Sequence, residues 1–260
     1  MPSRPVSNRN SSGRMISLKN VSFRYGDSDV LRELSLDFAD GSLTAIMGAN
    51  GSGKSTLARL LNGLLMPSSG NIVVDGLDTL QAEALPMIRR KVGLVFQDPG
   101  AQMTSATIER ELAFGLQNIG LPIEEIRERV ATQLQQLNLT ERRTSSPALL
   151  AGGEKQRLAL AAVMMLGPSH LVLDEPTSFL SPASRKDILD RLVRLNRERR
   201  TTIILITQFL SEAMQAERLV ILGDGGIALD ISPQAARAAF RRLQSLGVFV
   251  PKERVAADEI

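Results

Sequence analysis

The stretch GANGSGKST, residues 48–56, follows the apolar run LTAIM and leads into a segment with helical spacing that begins at Lys54. Its spacing is G-x-x-x-x-G-K-[ST], the pattern of a phosphate-binding loop. Glycines let successive backbone N–H groups converge on phosphate oxygens, and the positive end of the following helix adds to the field. We therefore predict a buried strand, a phosphate-binding loop and a helix, rather than a glycine-rich turn that matches the pattern by chance.

Individual side chains of this loop have separate predicted roles. Lys54 is expected to reach the β and γ phosphates of a nucleotide, and the Ser55 hydroxyl is expected to hold Mg²⁺. The remaining nucleotide-binding positions are predicted to be Gly48, Asn50, Gly51, Ser52, Gly53 and Thr56.

A second candidate site is LVLDEP, residues 171–176, in which an apolar strand delivers two adjacent carboxylates at its carboxyl end. Asp174 suits the shell of a Mg²⁺ ion, and Glu175 is placed to orient or deprotonate an attacking water. Adjacent acids at a strand end are often simply solvated. Together with the phosphate-binding loop, however, the pair indicates nucleotide hydrolysis.

The rest of the chain predicts an α/β fold. Alternating segments at 16–25 and 31–38 are typical of half-exposed antiparallel strands, and helical patterns occupy a block of about 100–167. Strand and helix patterns then alternate up to about residue 223, as expected for a mainly parallel sheet. We predict a P-loop NTPase core with an N-terminal antiparallel β part and an inserted α-helical subdomain.

Composition narrows the class of protein. The chain has 260 residues, of which 43% are hydrophobic and 23% charged, so it can form a full globular core. It has no cysteine and one histidine, which argues against disulfides and a histidine-rich metal site. A net charge of +3 with 3% aromatic residues does not indicate nucleic-acid binding. The apolar stretch at 158–167 is too short to span a membrane, and residues 1–14 read as a disordered polar tail.

The order of these motifs resembles the ATP-binding subunit of an ABC transporter. GANGSGKST is followed by VFQDP with Gln97, by LAGGEKQR at 150–157, and by LVLDEPTS, and the resemblance covers about residues 15–230. It implies the ABC ATPase fold and ATP as the nucleotide. It also implies that Tyr25 of FRYG stacks on adenine and that Gln97 touches Mg²⁺ and the attacking water. Without the resemblance, Tyr25 would be an ordinary strand aromatic and Gln97 a turn residue.

Two further segments resemble the ATPases of energy-coupling factor transporters, which drive uptake of vitamins or of cobalt and nickel ions. The first is residues 92–122, which contain Gln97 and the segment that follows it. The second is residues 232–251, which resemble the helical C-terminal extension of that family. The resemblance implies a complex of two ATPases, a transmembrane coupling subunit and a substrate-binding membrane subunit at the cytoplasmic face of the cell membrane. We predict an extension over 231–260, which could instead be an amphipathic helix packed on its own core.

Four residues, at three places in the sequence, depart from the family pattern. Gln208 stands where a histidine normally contacts the γ-phosphate, and a carboxamide can donate a hydrogen bond but cannot become a cation. The signature LSGGQ reads LAGGE, so Ala151 loses a hydroxyl and Glu154 adds a negative charge, while Gly152 and Gly153 remain. Ser181 replaces an aspartate at the dimer interface.

These departures predict a heterodimer. In the family each ATP lies between the phosphate-binding loop of one subunit and the signature of the other, so residues 151–154 are expected to contact ATP in trans. This chain would give an intact loop and Glu175 to one site and an altered signature to the other. Alternatives are a conventional ABC importer ATPase, a degenerate subunit that holds ATP with little hydrolysis, and a soluble ABC ATPase of DNA repair or translation.

Overall fold

The structure is a computed structural model and describes residues 15–238 and residue 245. The predicted tail and most of the predicted C-terminal extension lie outside these residues. The strands are β1 (Met15–Tyr25), β2 (Ser28–Ala39), β3 (Leu43–Gly48), β4 (Ser69–Val74), β5 (Leu77–Asp78), β6 (Val92–Val95), β7 (His170–Asp174), β8 (Thr202–Ile206), β9 (Arg218–Gly223) and β10 (Gly226–Ile231). The helices are α1 (Lys54–Leu61), α2 (Leu85–Lys91), α3 (Pro99–Gln102), α4 (Ile108–Asn118), α5 (Ile123–Leu137), α6 (Gly152–Met164), α7 (Pro182–Arg199), α8 (Leu210–Ala213) and α9 (Pro233–Ala238).

An antiparallel sheet with strand order β2-β1-β4-β5 forms one layer. Its apolar side chains alternate with polar ones, so one face packs inward and the other meets solvent. Ile16, Leu18 and Phe38 lie in the core between this sheet and α1. The hairpin of β1 and β2 approaches the phosphate-binding loop, since a Cβ added to Gly53 would lie 2.6 Å from Leu31 Cδ2.

The second sheet has the order β10-β9-β3-β8-β7-β6, and all its pairings are parallel except that of β10 with β9. Every residue of β3, β7 and β8 is buried, as expected for strands covered on both faces. The carboxyl ends of β6, β7 and β8 therefore lie side by side at one edge of the sheet. That edge carries most of the candidate site.

Between β6 and β7 the chain forms the helices α3 to α6. Residues of α4, α5 and α6 share a hydrophobic cluster of their own, which includes Leu112, Val130 and Leu158. In the described part of the chain, no helix combines the length and the apolar character needed to cross a membrane.

The predicted α/β fold is confirmed, with the parallel sheet, the antiparallel N-terminal part and the helical block in the predicted order. The sequence patterns did not predict β10 or the short helices α2, α3 and α8. Strand β10 has a mixed burial pattern, and the short helices are too brief to show a period.

Candidate functional site

The phosphate-binding loop joins β3 to α1 and requires glycine at two of its positions. A Cβ on Gly48 would lie 2.4 Å from the carbonyl oxygen of Leu222 and 2.7 Å from Ser52 Oγ, distances that no side chain tolerates. Gly53 takes a left-handed conformation, φ +94°, directly before α1, and its carbonyl accepts the first helical hydrogen bond from Leu57 at 2.8 Å. These glycines set the angle at which the strand turns into the helix.

The outer part of the loop is open to a ligand. Gly51 has φ +82°, and a Cβ there would meet nothing within 4 Å, while Asn50 is exposed. Ser52 Oγ is buried and has no hydrogen-bond partner in the described structure. Thr56 is buried in the first turn of α1. An open backbone beside an unpartnered hydroxyl fits the binding of phosphate oxygens.

Lys54 is the cation of this loop. It is buried, and its Nζ donates hydrogen bonds of 2.8 Å to the carbonyl oxygens of Gly48 and Ala49. Burial lowers the pKa of Lys54, although the nearby Glu175 and Asp174 carboxylates oppose that shift. The ammonium group is therefore held against the loop that a phosphate would occupy.

Asp174 ends β7 and is buried. Burial raises the pKa of Asp174, while a hydrogen bond from the Ser55 side chain acts in the opposite direction. Its Oδ1 is buried without a hydrogen-bond partner in the described structure. A buried, unpartnered carboxylate oxygen beside a hydroxyl fits a hard divalent cation such as Mg²⁺, which prefers oxygen ligands.

Glu175 follows Asp174 in a left-handed backbone conformation, φ +50°, which is unusual for a residue with a side chain. The bond from its backbone N–H to the Ile206 carbonyl, 2.9 Å, holds this conformation against β8. Its side-chain oxygen Oε2 accepts hydrogen bonds from Gln97 Nε2 at 3.1 Å, Gln208 Nε2 at 3.0 Å and Ser178 Oγ at 2.8 Å. Three donors thus fix the direction of one carboxylate.

The predicted site residues Gln97, Glu175 and Gln208 are brought together because each follows one of three adjacent parallel strands. Gln97 lies two residues after β6, Glu175 directly after β7, and Gln208 two residues after β8. Both amides are on exposed residues. Gln208 was predicted to face ATP, and the partner its amide has in this structure is the carboxylate of Glu175.

Tyr25 lies at the tip of the β1–β2 hairpin, paired with Ser28. Tyr25 is 48% exposed, and its ring makes a T-shaped contact with that of Phe23, with ring centroids 4.8 Å apart and planes at 81°. This contact supports the tyrosine from one side, and its exposure leaves part of the residue accessible to a nucleobase.

The altered signature, residues 151–154, forms the N-terminus of α6. Ala151 is the residue before the helix, and its backbone N–H donates to Glu154 Oε2 at 2.9 Å. Arg142 lies 3.1 Å from Glu154 Oε1. Glu154 has a lowered pKa, chiefly through the bond from the Ala151 N–H and also through Arg142, although burial opposes them. The negative charge that Glu154 adds to the signature is therefore paired with the guanidinium of Arg142.

Ser181, the other departure at the predicted interface, caps α7. Its hydroxyl accepts a hydrogen bond from the Ser184 N–H at 3.4 Å, and Pro182 occupies the first turn. Serine before a proline at a helix start is a common capping arrangement. The residue thus has a structural role in its own subunit.

Several contributors were missed by the sequence analysis. Ser178 and Arg142 are hydrogen-bonded to predicted site residues, and Gln102 shapes the turn that carries Gln97 by bonding the Phe96 N–H and the Leu94 carbonyl. Ser178 is separated from Glu175 by only two residues, so a turn after the strand could have indicated it. The other two depend on tertiary packing and had no local signal.

Comparison with known proteins identifies the family. Residues 31–178 match the family described as ABC transporter, and this span includes the phosphate-binding loop, Gln97, the signature and Glu175. An energy-coupling factor transporter ATP-binding protein EcfA1 from Caldanaerobacter subterraneus subsp. tengcongensis is 39% identical over 251 residues, which cover 95% of this chain and 91% of the relative. A protein of the same name from Symbiobacterium thermophilum is 42% identical over 251 residues, 93% of this chain and 88% of that protein.

Solved structures agree with these relatives. The structure of cbiO1 from Clostridium perfringens, described as part of the ABC transporter complex cbiONQ, has a TM-score of 0.76 and 31% identity, covering 92% of this chain and 96% of cbiO1. The ATP-binding cassette MJ0796, a dimer bound to ADP and Pi, has a TM-score of 0.77 and 29% identity over 84% of this chain and 98% of the cassette.

The chain belongs to the ATP-binding proteins of ABC transporters, and within them to those of energy-coupling factor transporters. It is an ATP-binding protein and an ATPase, which confirms the predicted family, fold and activity.

Proposed function

We propose that this chain hydrolyses ATP at the edge formed by its phosphate-binding loop and the ends of β6, β7 and β8. The observation that carries the proposal is the convergence of Gln97, Gln208 and Ser178 on Oε2 of Glu175. Because these bonds occupy Oε2, we assign Oε1 to the attacking water. Glu175 then orients the water or accepts its proton, and Gln97 and Gln208 keep the carboxylate aligned for in-line attack.

The nucleotide is placed by the remaining predicted residues. Lys54 neutralises the β and γ phosphates after exchanging its carbonyl partners for phosphate oxygens, and the backbone N–H groups of residues 48–56 surround them. Tyr25 stacks on the adenine. Ser55, Asp174 and Gln97 are the residues that would hold Mg²⁺, since the Oδ1 of Asp174 is buried without a partner. Bound Mg²⁺ supplies charge neutralisation at the phosphate oxygens.

A second ATPase completes each site. The signature at 151–154 forms the start of α6, and the solved relative MJ0796 is a dimer. We propose that Gly152, Gly153 and their neighbours contact ATP bound to the partner, in a heterodimer with an ATPase that has a more standard signature. The support is that Ala151, Glu154 and Ser181 alter only what this chain gives to the other site.

The proposed complex also contains a transmembrane coupling subunit and a substrate-binding membrane subunit, with this chain peripheral at the cytoplasmic face of the membrane. The support is its likeness to EcfA1 proteins and to cbiO1, described as part of the complex cbiONQ. The proposed cargo is a vitamin or a transition-metal ion. Residues 15–230 would form the ATPase domain, with the helical subdomain at about 100–167, and 231–260 the extension.

Substitution of the proposed water-orienting residue tests the site. In the complex purified from its native membrane in mild detergent, Glu175→Gln should abolish most ATP hydrolysis by this subunit while Mg-ATP binding is retained. The matched control is Glu198→Gln, which makes the same change at an exposed residue of α7 with no role in the proposed site. Full-speed hydrolysis by the Glu175→Gln complex would show that the assigned site does not work.

Composition of the same complex tests the partners. Mass spectrometry should identify a second ATPase and two membrane proteins with the tagged chain. Recovery of this chain without membrane proteins would contradict the transporter assembly, and recovery with membrane proteins but without a different second ATPase would contradict the heterodimer.

A further inference from the structure

A buried carboxylate lies beside the site but outside the residues assigned to it. Glu212, in α8, has no exposed surface. Its two oxygens face in different directions, and each accepts a hydrogen bond from a threonine hydroxyl. Oε1 accepts from Thr177 Oγ1, and Oε2 accepts from Thr207 Oγ1 at 2.6 Å. Both threonines are only 1% exposed, so water does not replace either bond.

The two threonines belong to the two loops that carry the proposed catalytic groups. Thr177 lies two residues after Glu175, and Thr207 lies directly before Gln208. Thr207 is also fixed to the phosphate-loop strand, since its backbone N–H donates to the Ile46 carbonyl at 3.0 Å. Glu212 therefore joins the loop after β7 to the loop after β8, close to where Gln208 donates to Glu175.

Gln208 is held from its other side as well. The backbone N–H of Phe209 donates to Thr207 Oγ1 at 3.0 Å, which closes a tight turn around Gln208. The guanidinium of Arg185 lies 3.8 Å from the centre of the Phe209 ring, and its Nε is 3.6 Å from Glu212 Oε1. Both neighbours of Gln208 are thus linked to the same carboxylate, one directly and one through Arg185.

We propose that Glu212 is a positioning residue that sets the distance between the Gln208 amide and the Glu175 carboxylate. The inference rests on the proposed function of Glu175 and Gln208 and extends it to a group that touches neither ATP nor water. A single buried carboxylate that bonds both loops makes their separation depend on two short hydrogen bonds. Removing either hydroxyl takes the hydrogen-bonding donor from one buried oxygen and leaves only the longer 3.6 Å contact of Arg185 with Oε1, so the loops move to compensate.

The test uses pairs of substitutions that differ in the hydroxyl. Thr177→Val and Thr207→Val keep the shape of the side chain and remove the donor, whereas Thr177→Ser and Thr207→Ser keep the donor and remove a methyl group. The steady-state ATPase activity of the purified transporter complex is measured as a function of Mg-ATP concentration. Unfolding temperature and Mg-ATP affinity are measured on the same samples.

We expect each valine variant to lower kcat by about tenfold, which is less than the roughly hundredfold that a misplacement of about 1 Å can cost, with the KM for ATP changed less than about twofold. The serine variants should keep a kcat close to that of the wild type. Because all four variants are substituted at buried positions, a merely structural role would lower the unfolding temperature in both members of a pair without separating their kcat values.

Glu175→Gln, measured in parallel, separates the two proposals. If Glu175→Gln stops hydrolysis while both valine variants keep the wild-type kcat, Glu212 does not position the site and the proposed function stands. Equal losses in the valine and serine variants also overturn the inference. If Glu175→Gln hydrolyses at full speed, the proposed function is wrong and the role of Glu212 is wrong with it.

Discussion

Replacement of Gln208 by alanine removes one of the three hydrogen bonds that reach Glu175 Oε2, and leaves those from Gln97 and Ser178. A hydrogen bond to a charged group contributes about 1.5–3 kcal/mol. If the whole free energy of this bond stabilises the transition state, its loss slows hydrolysis by about 10- to 150-fold. Gln208 is exposed, so solvent weakens the bond and the lower end, about tenfold, is the expected loss in kcat.

The assay is steady-state ATP hydrolysis by the purified complex over a range of Mg-ATP concentrations. We expect Gln208→Ala to lower kcat with little change in KM, since the bond acts on the carboxylate rather than on the nucleotide. Gln208→His should hydrolyse ATP at least as fast as the wild type, because an imidazole can also donate and can become a cation. The matched control is Gln215→Ala, which makes the same truncation at another exposed glutamine nearby.

Two results would refute this reasoning. If Gln208→Ala and Gln215→Ala have the same kcat as the wild type, the bond to Glu175 has no part in catalysis. If Gln208→Ala raises KM and leaves kcat unchanged, the amide serves in binding the nucleotide, as a contact with the γ-phosphate would require.

Two further predictions concern ion pairs away from the water-orienting group. Arg142→Ala removes the guanidinium that pairs with Glu154, so the KM for ATP of the assembled complex should rise by about two- to fivefold. The control, Arg143→Ala, should leave the KM unchanged. Equal KM values for the two variants would contradict this prediction. His170, buried with its Nε2 2.9 Å from Asp75 Oδ1, has a pKa lowered by burial from 6.5, although Asp75 opposes the shift. Below pH 6.5 the unfolded chain therefore binds a proton that the folded chain does not, so the unfolding temperature should fall as the pH is lowered from neutral through 6.5. His170→Gln should flatten that fall, and an unchanged slope would refute the prediction.

The elements that could be predicted from sequence are those whose signal is local. The strand at 43–48 is a run of apolar residues followed by glycines that the turn requires, and the strand at 170–174 ends in two carboxylates. A short apolar run is hard to interpret as anything but a buried strand once a phosphate-binding pattern lies directly beside it or elsewhere in the same fold. The order of the motifs then indicated, through the family resemblance, which residues belong to the site.

The contacts within the site could not be predicted in the same way. That Gln97 and Gln208 donate to the same oxygen depends on the side-chain directions at three strand ends that are distant in sequence. The pairing of Arg142 with Glu154 crosses a short 3₁₀ turn and the start of α6, so no periodic pattern indicates it. Glu212 reads as an ordinary acid of a short helix, and only its complete burial marks it as unusual.

Three of the residues that depart from the family pattern, Ala151, Glu154 and Ser181, make stabilising contacts within this chain. Ala151 and Glu154 form a hydrogen-bonded helix start that Arg142 neutralises, and Ser181 caps α7. These features stabilise the subunit itself. The substitutions would instead weaken the contact with ATP bound to the partner, because the signature of this chain no longer offers a hydroxyl to that ATP. Among the residues that would act on this chain's own ATP, Gln208 departs from the family pattern, whereas Lys54 and Glu175 are unaltered, so the changes at the signature and at Ser181 are separated from these two residues. This separation is what a heterodimer with unequal sites requires, because in a homodimer both ATP molecules would meet the altered signature.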